Sequence, residues 1–111
     1  MATKQEIVET PAYIKQAQRI GLTAAEMVQI KLYLSENPEA GDIIKGSGGV
    51  RKVRFARPNK GKSGGVRLFT FFWTLDMPLF LMWVIAKNKR SNITDAETIM
   101  LAKIAKEIKN G

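Results

Sequence analysis

This 111-residue chain contains neither cysteine nor histidine. Without cysteine it cannot form a disulfide or a thiolate metal site, and without histidine it lacks the usual metal ligand and the usual general base near neutral pH. The composition therefore excludes a zinc enzyme with histidine or cysteine ligands and a hydrolase with a Ser-His-Asp triad. Any catalysis must use other side chains, and we expect no metal and no other cofactor.

Acidic residues are missing from the middle of the chain. Residues 43–75 contain eight lysines and arginines and no aspartate or glutamate, while the remainder carries ten cations and ten anions. The whole formal charge of +8 therefore comes from this one segment. Positive charge concentrated in this way attracts a polyanion, and it indicates nucleic acid as the partner. The alternative is a solvated basic loop.

Long apolar segments are missing as well. The longest apolar run, Leu79–Ala86, has eight residues, whereas a membrane-spanning helix needs about 20. The first six residues lack the apolar stretch of a secretory signal. We therefore expect a cytoplasmic protein with no membrane partner, and the length suits one domain over residues 1–111.

Local signals predict three helices and four strands. Thr10-Pro11 starts the first helix, and Thr23 and Thr94 each begin a capping box that ends in glutamate. Strands are predicted over residues 6–9, 50–57, 66–75 and 79–86, the last as a central strand buried on both faces. The order β-α-α-β-β-β-α predicts an α+β fold: a small antiparallel sheet with an N-terminal helix pair packed on it and a C-terminal helix.

Aromatic residues alternate along one of these strands. Phe69, Phe71 and Trp73 share a face of the predicted strand 66–75. Aromatic rings on a sheet beside cations could stack nucleic-acid bases. We favour the alternative that these rings, together with Trp83, form core beneath the helices.

Cations gather where two predicted strands pair. Lys52 and Arg54 share one strand face, and Arg67 begins the partner strand across a hairpin loop. Like charges brought together repel unless an anion binds between them, so this cluster predicts a phosphate site. Residues 87–90, Lys-Asn-Lys-Arg, follow the last strand and could border the cluster. The alternatives are unrelated surface cations and a charged turn.

Lys60 and Lys62 lie among glycines in the predicted hairpin loop, residues 58–65. Residues 56–63 fit a loose P-loop pattern, but a strand follows where nucleotide binding requires a helix N-terminus. We therefore predict a cationic loop that closes over a phosphate backbone. The alternative is an ordinary hairpin loop whose glycines permit positive φ.

These motifs are similar to those of a known family. Residues 41–56 read Gly-Asp-Ile-Ile-Lys-Gly-Ser-Gly-Gly-Val-Arg-Lys-Val-Arg-Phe-Ala, followed by Gly-Lys-Ser-Gly-Gly-Val-Arg at 61–67, Ala-Lys-Asn at 86–88 and Thr-Asp at 94–95. Together they resemble the RelE/ParE superfamily of toxin-antitoxin toxins, with the HigB-like branch closest. The resemblance covers nearly the whole chain.

The resemblance implies a RelE-like toxin: a ribosome-dependent mRNA endonuclease that inhibits translation, arrests growth and is neutralised by a cognate antitoxin. Such relatives cleave without metal, because a 2′-hydroxyl attacks the adjacent phosphate and a 5′-hydroxyl leaves. By position, Lys52, Arg54 and Arg67 match the family's basic catalytic residues, and Lys87 falls near a further catalytic cation. The remaining residues expected to bind RNA are Arg51, Arg57, Lys60, Lys62, Asn88, Lys89 and Arg90.

Relatives commonly have tyrosines where this chain has Phe-Thr-Phe-Phe at residues 69–72 and Ile85. We therefore assign Arg54 and Arg67 to the phosphate, Lys52 as the base, and Lys87 as the acid or a further electrostatic stabiliser. A lysine acts as a base near neutral pH only if its pKa lies well below the ordinary value of about 10.4, and neighbouring cations shift it in that direction.

Two other functions stay open at this point. One is a ParE-like gyrase poison, which belongs to the same superfamily and does not cleave RNA. The other is a non-catalytic relative that binds RNA or the ribosome and has lost the chemistry along with the tyrosines.

Overall fold

The computed structural model describes residues 5–57, 64–90 and 92–111. Within these ranges the chain forms five strands and three helices. In chain order they are β1 (Ile7–Glu9), α1 (Pro11–Arg19), α2 (Ala24–Glu36), β2 (Asp42–Ile43), β3 (Val50–Phe55), β4 (Val66–Phe71), β5 (Leu79–Ala86) and α3 (Asp95–Asn110). The predicted α+β class and layout are confirmed, and the two-residue strand β2 is an addition to them.

All five strands belong to one sheet with the order β1-β5-β4-β3-β2. The pairings from β5 to β2 are antiparallel, whereas β1 runs parallel to β5, with Ile7 opposite Leu79. One edge of the expected antiparallel sheet is therefore parallel. Because β5 has a strand on either side and packing on both faces, its sequence is an unbroken apolar run.

The N-terminal helices cover one face of the sheet. Tyr13 of α1 and Ile30 and Leu34 of α2 are fully buried and belong to the same apolar cluster as Leu68 of β4 and Val84 of β5. The spacing of Ile30 and Leu34 places them on one side of α2, as an amphipathic helix requires. Because side chains alternate along a strand, the remaining side chains of β3 and β4 lie on the opposite face of the sheet, away from the helix pair.

The C-terminal helix covers the opposite face. Leu101 and Ala105 of α3 pack in a second cluster with Val50, Phe69 and Phe71. The prediction that Phe69 and Phe71 are core residues is therefore confirmed. Where α3 covers this face, the sheet is apolar. Polar side chains on this face can meet a ligand where α3 leaves the sheet uncovered.

Trp73 differs from the expectation for a core residue, since half of its surface is exposed. The predicted strand 66–75 ends at Phe71, so the alternation that would bury Trp73 stops two residues earlier. The Trp73 ring stacks on Phe71 with 6.4 Å between ring centroids, and the Lys109 Nζ lies 4.8 Å from its centroid. Trp83 packs, partly buried, against the cluster under α3.

Threonine side chains start all three helices that the structure describes. Thr10 Oγ1 accepts a hydrogen bond from the Tyr13 amide at 3.2 Å, with Pro11 in the first turn. Thr23 with Glu26, and Thr94 with Glu97, form reciprocal capping boxes. These contacts confirm the predicted starts. In the described part of the chain, no helix is both long and apolar enough to span a membrane.

Candidate nucleic-acid interface

Arg54 of β3 and Arg67 of β4 lie directly opposite each other in the sheet. Opposite residues of an antiparallel pair point to the same face, and like charges in this position are destabilising without an anion between them. The next pair along the ladder on that face, Lys52 and Phe69, lies on the side of the sheet that α3 covers. Arg54 is exposed, whereas Arg67 is only 8% exposed.

Lys87 approaches this pair from the end of β5. Its amide donates to the Gly65 carbonyl at 3.0 Å, which fixes the turn beside the start of β4. Lys87 and Arg54 line one cavity of about 150 Å³ whose other walls are Phe55, Ala56, Gly65 and Val66. The backbone at Gly65 lies close to the end of β3, because a Cβ there would be 3.1 Å from the Phe55 carbonyl oxygen. The structure therefore brings Arg54, Arg67 and Lys87 to one corner of the sheet.

Lys52 lies on the same face but lines a different cavity. This second cavity, of about 310 Å³, lies between β2, β3 and the start of α3. Its walls are Asp42, Ile43, Ile44, Lys45, Lys52, Asn92, Ile93, Asp95 and Thr98. The sequence predicted that Lys52 gathers with Arg54 and Arg67 at one phosphate site. The structure instead has two neighbouring cavities, with Lys52 lining one and Arg54 lining the other.

Arg57, expected to bind RNA, is held by the first turn of α2 instead. Its Nε donates to Glu26 Oε2 at 2.7 Å, and its Nη2 donates to Glu26 Oε1 at 3.0 Å and to the Gly21 carbonyl at 3.1 Å. The Arg57 side chain is 12% exposed. The Arg57 hydrogen bonds lower the pKa of Glu26 from 4.5 to about 2, against the opposing effect of burial. Since its donors are used inside the protein, Arg57 joins β3 to α2.

Two further arginines from the predicted RNA surface also have partners within the fold. Arg51 Nη1 donates to the Glu39 carbonyl at 3.0 Å and to the Gly41 carbonyl at 3.3 Å. Arg90 forms an ion pair with Glu97 in the first turn of α3, and its hydrogen bonds lower the pKa of that carboxyl to about 2. Both arginines therefore fasten loops to neighbouring backbone or helix.

The remaining predicted contacts fall into two groups. Asn88 and Lys89 are exposed in the turn after β5, next to Lys87, where a bound polyanion could reach them. Lys60 and Lys62 lie outside the described residues. Within the described ranges, no group of three or more acidic side chains is arranged to hold a metal ion.

Sequence reasoning missed the acidic side of the larger cavity. Asp42 stands opposite Lys52 because β2 pairs with β3, and Asp95 arrives on the first turn of α3. A two-residue strand has no periodicity to detect, so the pairing that places Asp42 beside Lys52 could not be foreseen. The available signal was that Asp42 and Asp95 both occur within the motifs quoted above.

Comparison with known proteins identifies the class to which this chain belongs. The family described as "RelE toxin of RelE / RelB toxin-antitoxin system" matches residues 7–110. The chain is therefore a toxin of a toxin-antitoxin system, and it belongs to the RelE toxin family. The structure of an E. coli toxin RelE mutant in the free state is similar, with a TM-score of 0.59 and 16% identity over 91% of this chain and 96% of that chain. At this identity, the similarity establishes the fold.

Proposed function

We propose that this toxin is a metal-free endoribonuclease that cleaves mRNA on the ribosome. The observation that carries the proposal is the corner formed by Arg54 and Arg67, which face each other across β3 and β4 while Arg54 shares a cavity with Lys87. Two cations on a small cavity, with a third opposite one of them in the sheet, suit one phosphodiester. Family membership favours RNA cleavage as the use of such a site.

The reaction is an internal transesterification. A 2′-hydroxyl loses its proton to a base and forms a bond from O2′ to the adjacent phosphorus, while the bond from phosphorus to O5′ breaks and O5′ takes up a proton. The products carry a cyclic phosphate and a 5′-hydroxyl. Negative charge grows on the phosphorane oxygens, and fixed cations directed at these oxygens lower the barrier.

Arg54 and Arg67 are the proposed phosphate ligands. A guanidinium keeps its charge and offers paired donors that match two phosphate oxygens. Lys87, which lines the same cavity as Arg54, is the proposed partner of the leaving O5′, either as its proton donor or as a stabilising charge.

Lys52 is the proposed base. It lies two residues before Arg54 on the same strand face, so a ribose attached to a phosphate at Arg54 would extend toward it. Phenylalanines and an isoleucine stand where relatives have tyrosines, so no phenol at those positions can serve as the base, and the proposal gives that role to Lys52. The ribosome would supply the in-line placement of the 2′-hydroxyl, which is a large part of the catalysis of such reactions.

An antitoxin is the second expected partner, since the family is defined by a toxin-antitoxin pair. Within the superfamily, the motifs at residues 41–56 and 61–67 favour the HigB-like branch. We expect variants of Arg54, Arg67 and Lys87, which together form the cation corner, still to bind the antitoxin. Antitoxin binding and RNA cleavage can therefore be measured separately.

Primer extension on mRNA after brief induction of the toxin tests this proposal. New 5′ ends inside codons, carrying 5′-hydroxyls, are the expected result, with growth arrest that the antitoxin reverses. A DNA-damage reporter is read in the same cultures. A damage response without new 5′ ends would establish gyrase poisoning instead, and neither signal, with retained ribosome binding, would establish a non-catalytic binder.

A further inference from the structure

The larger cavity beside Lys52 combines charges of both signs with apolar walls. Asp42 and Asp95 provide carboxylates, Lys45 and Lys52 provide ammonium groups, and three isoleucines, at positions 43, 44 and 93, provide apolar surface. Among the residues that the structure describes, no hydrogen bond or ion pair joins these four charged side chains to one another or to other residues. Their hydrogen-bonding groups are therefore available to a ligand.

The mixture of charges restricts what this cavity can bind. An anion would be repelled by the two carboxylates, and a metal cation would be repelled by the two lysines, which are not ligands for it while protonated. A neutral ligand that carries both donors and acceptors avoids both penalties. The isoleucines favour an apolar body, and a planar heterocycle with a polar edge combines such a body with donors and acceptors.

A nucleobase has this combination of properties. Carboxylates accept hydrogen bonds from exocyclic amino groups, and lysines donate to ring nitrogens and carbonyl oxygens. An exocyclic amine offers two hydrogens, enough for one or both of the carboxylates that line the cavity. Adenine, cytosine and guanine carry such an amine, whereas uracil does not.

The position of the cavity indicates which nucleotide it would serve. Lys52 lines this cavity. Arg54, two residues further along the same strand face, lines the smaller cavity that it shares with Lys87, where the phosphate is proposed to bind. Two residues of a strand span about 7 Å, which one ribose can bridge. A nucleotide with its 3′-phosphate at Arg54 would then have its base near Asp42 and Asp95 and its 2′-hydroxyl near Lys52.

We infer that the cavity lined by Asp42, Lys52 and Asp95 is a pocket for an amino-bearing nucleobase, namely that of the nucleotide whose 2′-hydroxyl attacks. This inference rests on the proposed function, because it takes the phosphate at Arg54 as its anchor. It assigns Asp42 and Asp95 to substrate selection, and Lys52 to the ribose between the pocket and the phosphate.

Titration of the purified toxin with nucleoside 3′-monophosphates, followed by amide chemical shifts, tests the inference without requiring cleavage. Adenosine, cytidine and guanosine 3′-monophosphates should shift the amides of residues 42–45 and 92–98 as well as those near Arg54 and Lys87. Inorganic phosphate should shift only the second group. Uridine 3′-monophosphate should bind at least about fivefold more weakly than the others.

Carboxylate variants provide the specific readout. Asp42→Asn and Asp95→Asn should each reduce the advantage of the amino-bearing nucleotides over uridine 3′-monophosphate about fivefold, with unchanged binding of inorganic phosphate. Asp76→Asn, an equal change at an exposed loop position, is the control. Since Asp95 also lies in the first turn of α3, Asp42→Asn keeps the test valid if Asp95→Asn unfolds, as judged by circular dichroism.

The outcomes separate this inference from the proposed nuclease. If all nucleotides shift only the amides that inorganic phosphate shifts, the base pocket is refuted while the phosphate site stands. If base-dependent shifts occur at residues 42–45 and 92–98 but no mRNA is cleaved, the pocket is supported and the nuclease is refuted. If neither phosphate nor nucleotides shift the amides near Arg54, both proposals fail.

Discussion

Glu26 and Arg57, 31 residues apart, form a two-pronged ion pair that joins the first turn of α2 to the segment just after β3. Glu26 also completes the capping box with Thr23, accepting from the Thr23 amide at 2.9 Å. One carboxylate therefore satisfies a helix start and an arginine at once. The pair fixes the end of β3 next to the strand positions that carry Lys52 and Arg54.

This ion pair predicts acid sensitivity. The pKa of Glu26 is lowered in the folded state to about 2 from its ordinary 4.5, chiefly by hydrogen bonding to Arg57. Because the folded pKa is the lower one, the pair's stabilisation is complete above about pH 4.5 and is lost as the pH falls toward 2. Glu26→Gln should keep the capping box and, by weakening charge-assisted hydrogen bonds, lower the free energy of unfolding at pH 7 by about 2 kcal/mol.

Urea unfolding of both proteins between pH 7 and pH 2 measures this effect. The difference between wild type and Glu26→Gln should shrink as the pH falls and vanish near pH 2. Glu107→Gln, at an exposed position of α3, should show no comparable difference. A gap that stays constant over the whole range would contradict a charge-based role for Glu26.

Gly41 predicts a second effect on stability, at the other side of β3. Gly41 has a φ of +87°, and a Cβ there would lie 2.2 Å from the Lys52 carbonyl oxygen, which belongs to backbone. Gly46 has a φ of +78°, and a Cβ there would meet no atom within 4 Å. Gly46→Ala should therefore cost only the left-handed strain, about 1 kcal/mol, whereas Gly41→Ala should cost at least about 3 kcal/mol.

Denaturant unfolding of the two alanine variants gives this comparison directly. Equal losses would mean that β3 can move away from the loop at no cost, contrary to the close approach of Gly41 to Lys52. The comparison also bears on the site, since any shift of β3 that relieves the clash would displace the strand positions that carry Lys52 and Arg54.

The facing arginines give a prediction about activity. Arg54→Ala and Arg67→Ala should each lower the rate of mRNA cleavage about 100-fold or more, because in the proposed mechanism each arginine directs its charge at the phosphorane. Arg54 is the cleaner test, since its side chain is exposed and its loss should leave the core intact. Arg19→Ala, at the exposed end of α1, is the control.

Growth arrest, cleavage on ribosomes and antitoxin binding should be measured for all three variants. Antitoxin binding should be retained in each, which excludes misfolding as the reason for lost toxicity. Full toxicity of Arg54→Ala together with Arg67→Ala would remove both residues from the site. In that case the cation corner would serve some purpose other than cleavage.

Sequence reasoning was most successful where local patterns decide the structure. The bounds of β5 follow from its apolar run, and the starts of the helices follow from Thr10, Thr23 and Thr94, because capping is a contact within one turn. The pairing of the two strands that carry Lys52, Arg54 and Arg67 was also predicted, whereas the exact opposition of Arg54 and Arg67 is seen only in the structure.

It was least successful where partners are distant in the chain. Nothing near Arg57 in the sequence indicates that Glu26 will hold it, so its charge was assigned to RNA. Arg90 had its partner Glu97 seven residues away, and the turn between them had to be known before they could be paired. Charge identifies candidate ligands of a polyanion, but tertiary contacts decide which of them are already used.

Lys52 gives the last prediction, which separates a base from a fixed charge. Arginine in its place would keep the positive charge but could not accept a proton near neutral pH. If Lys52 is the base, Lys52→Arg should lose cleavage as severely as Lys52→Ala, and the rise of the wild-type rate with pH should disappear in both. Single-turnover cleavage on programmed ribosomes across pH 6 to about 9 measures this.

An electrostatic role for Lys52 gives a different pattern. Lys52→Arg would then keep most of the rate and the wild-type pH profile, while Lys52→Ala would lose rate evenly at every pH. Lys103→Arg, an equal exchange at an exposed position of α3, controls for general effects of the substitution. Retained activity in Lys52→Arg would show that Lys52 is not the base. The group that accepts the proton would then belong to the ribosome or the substrate.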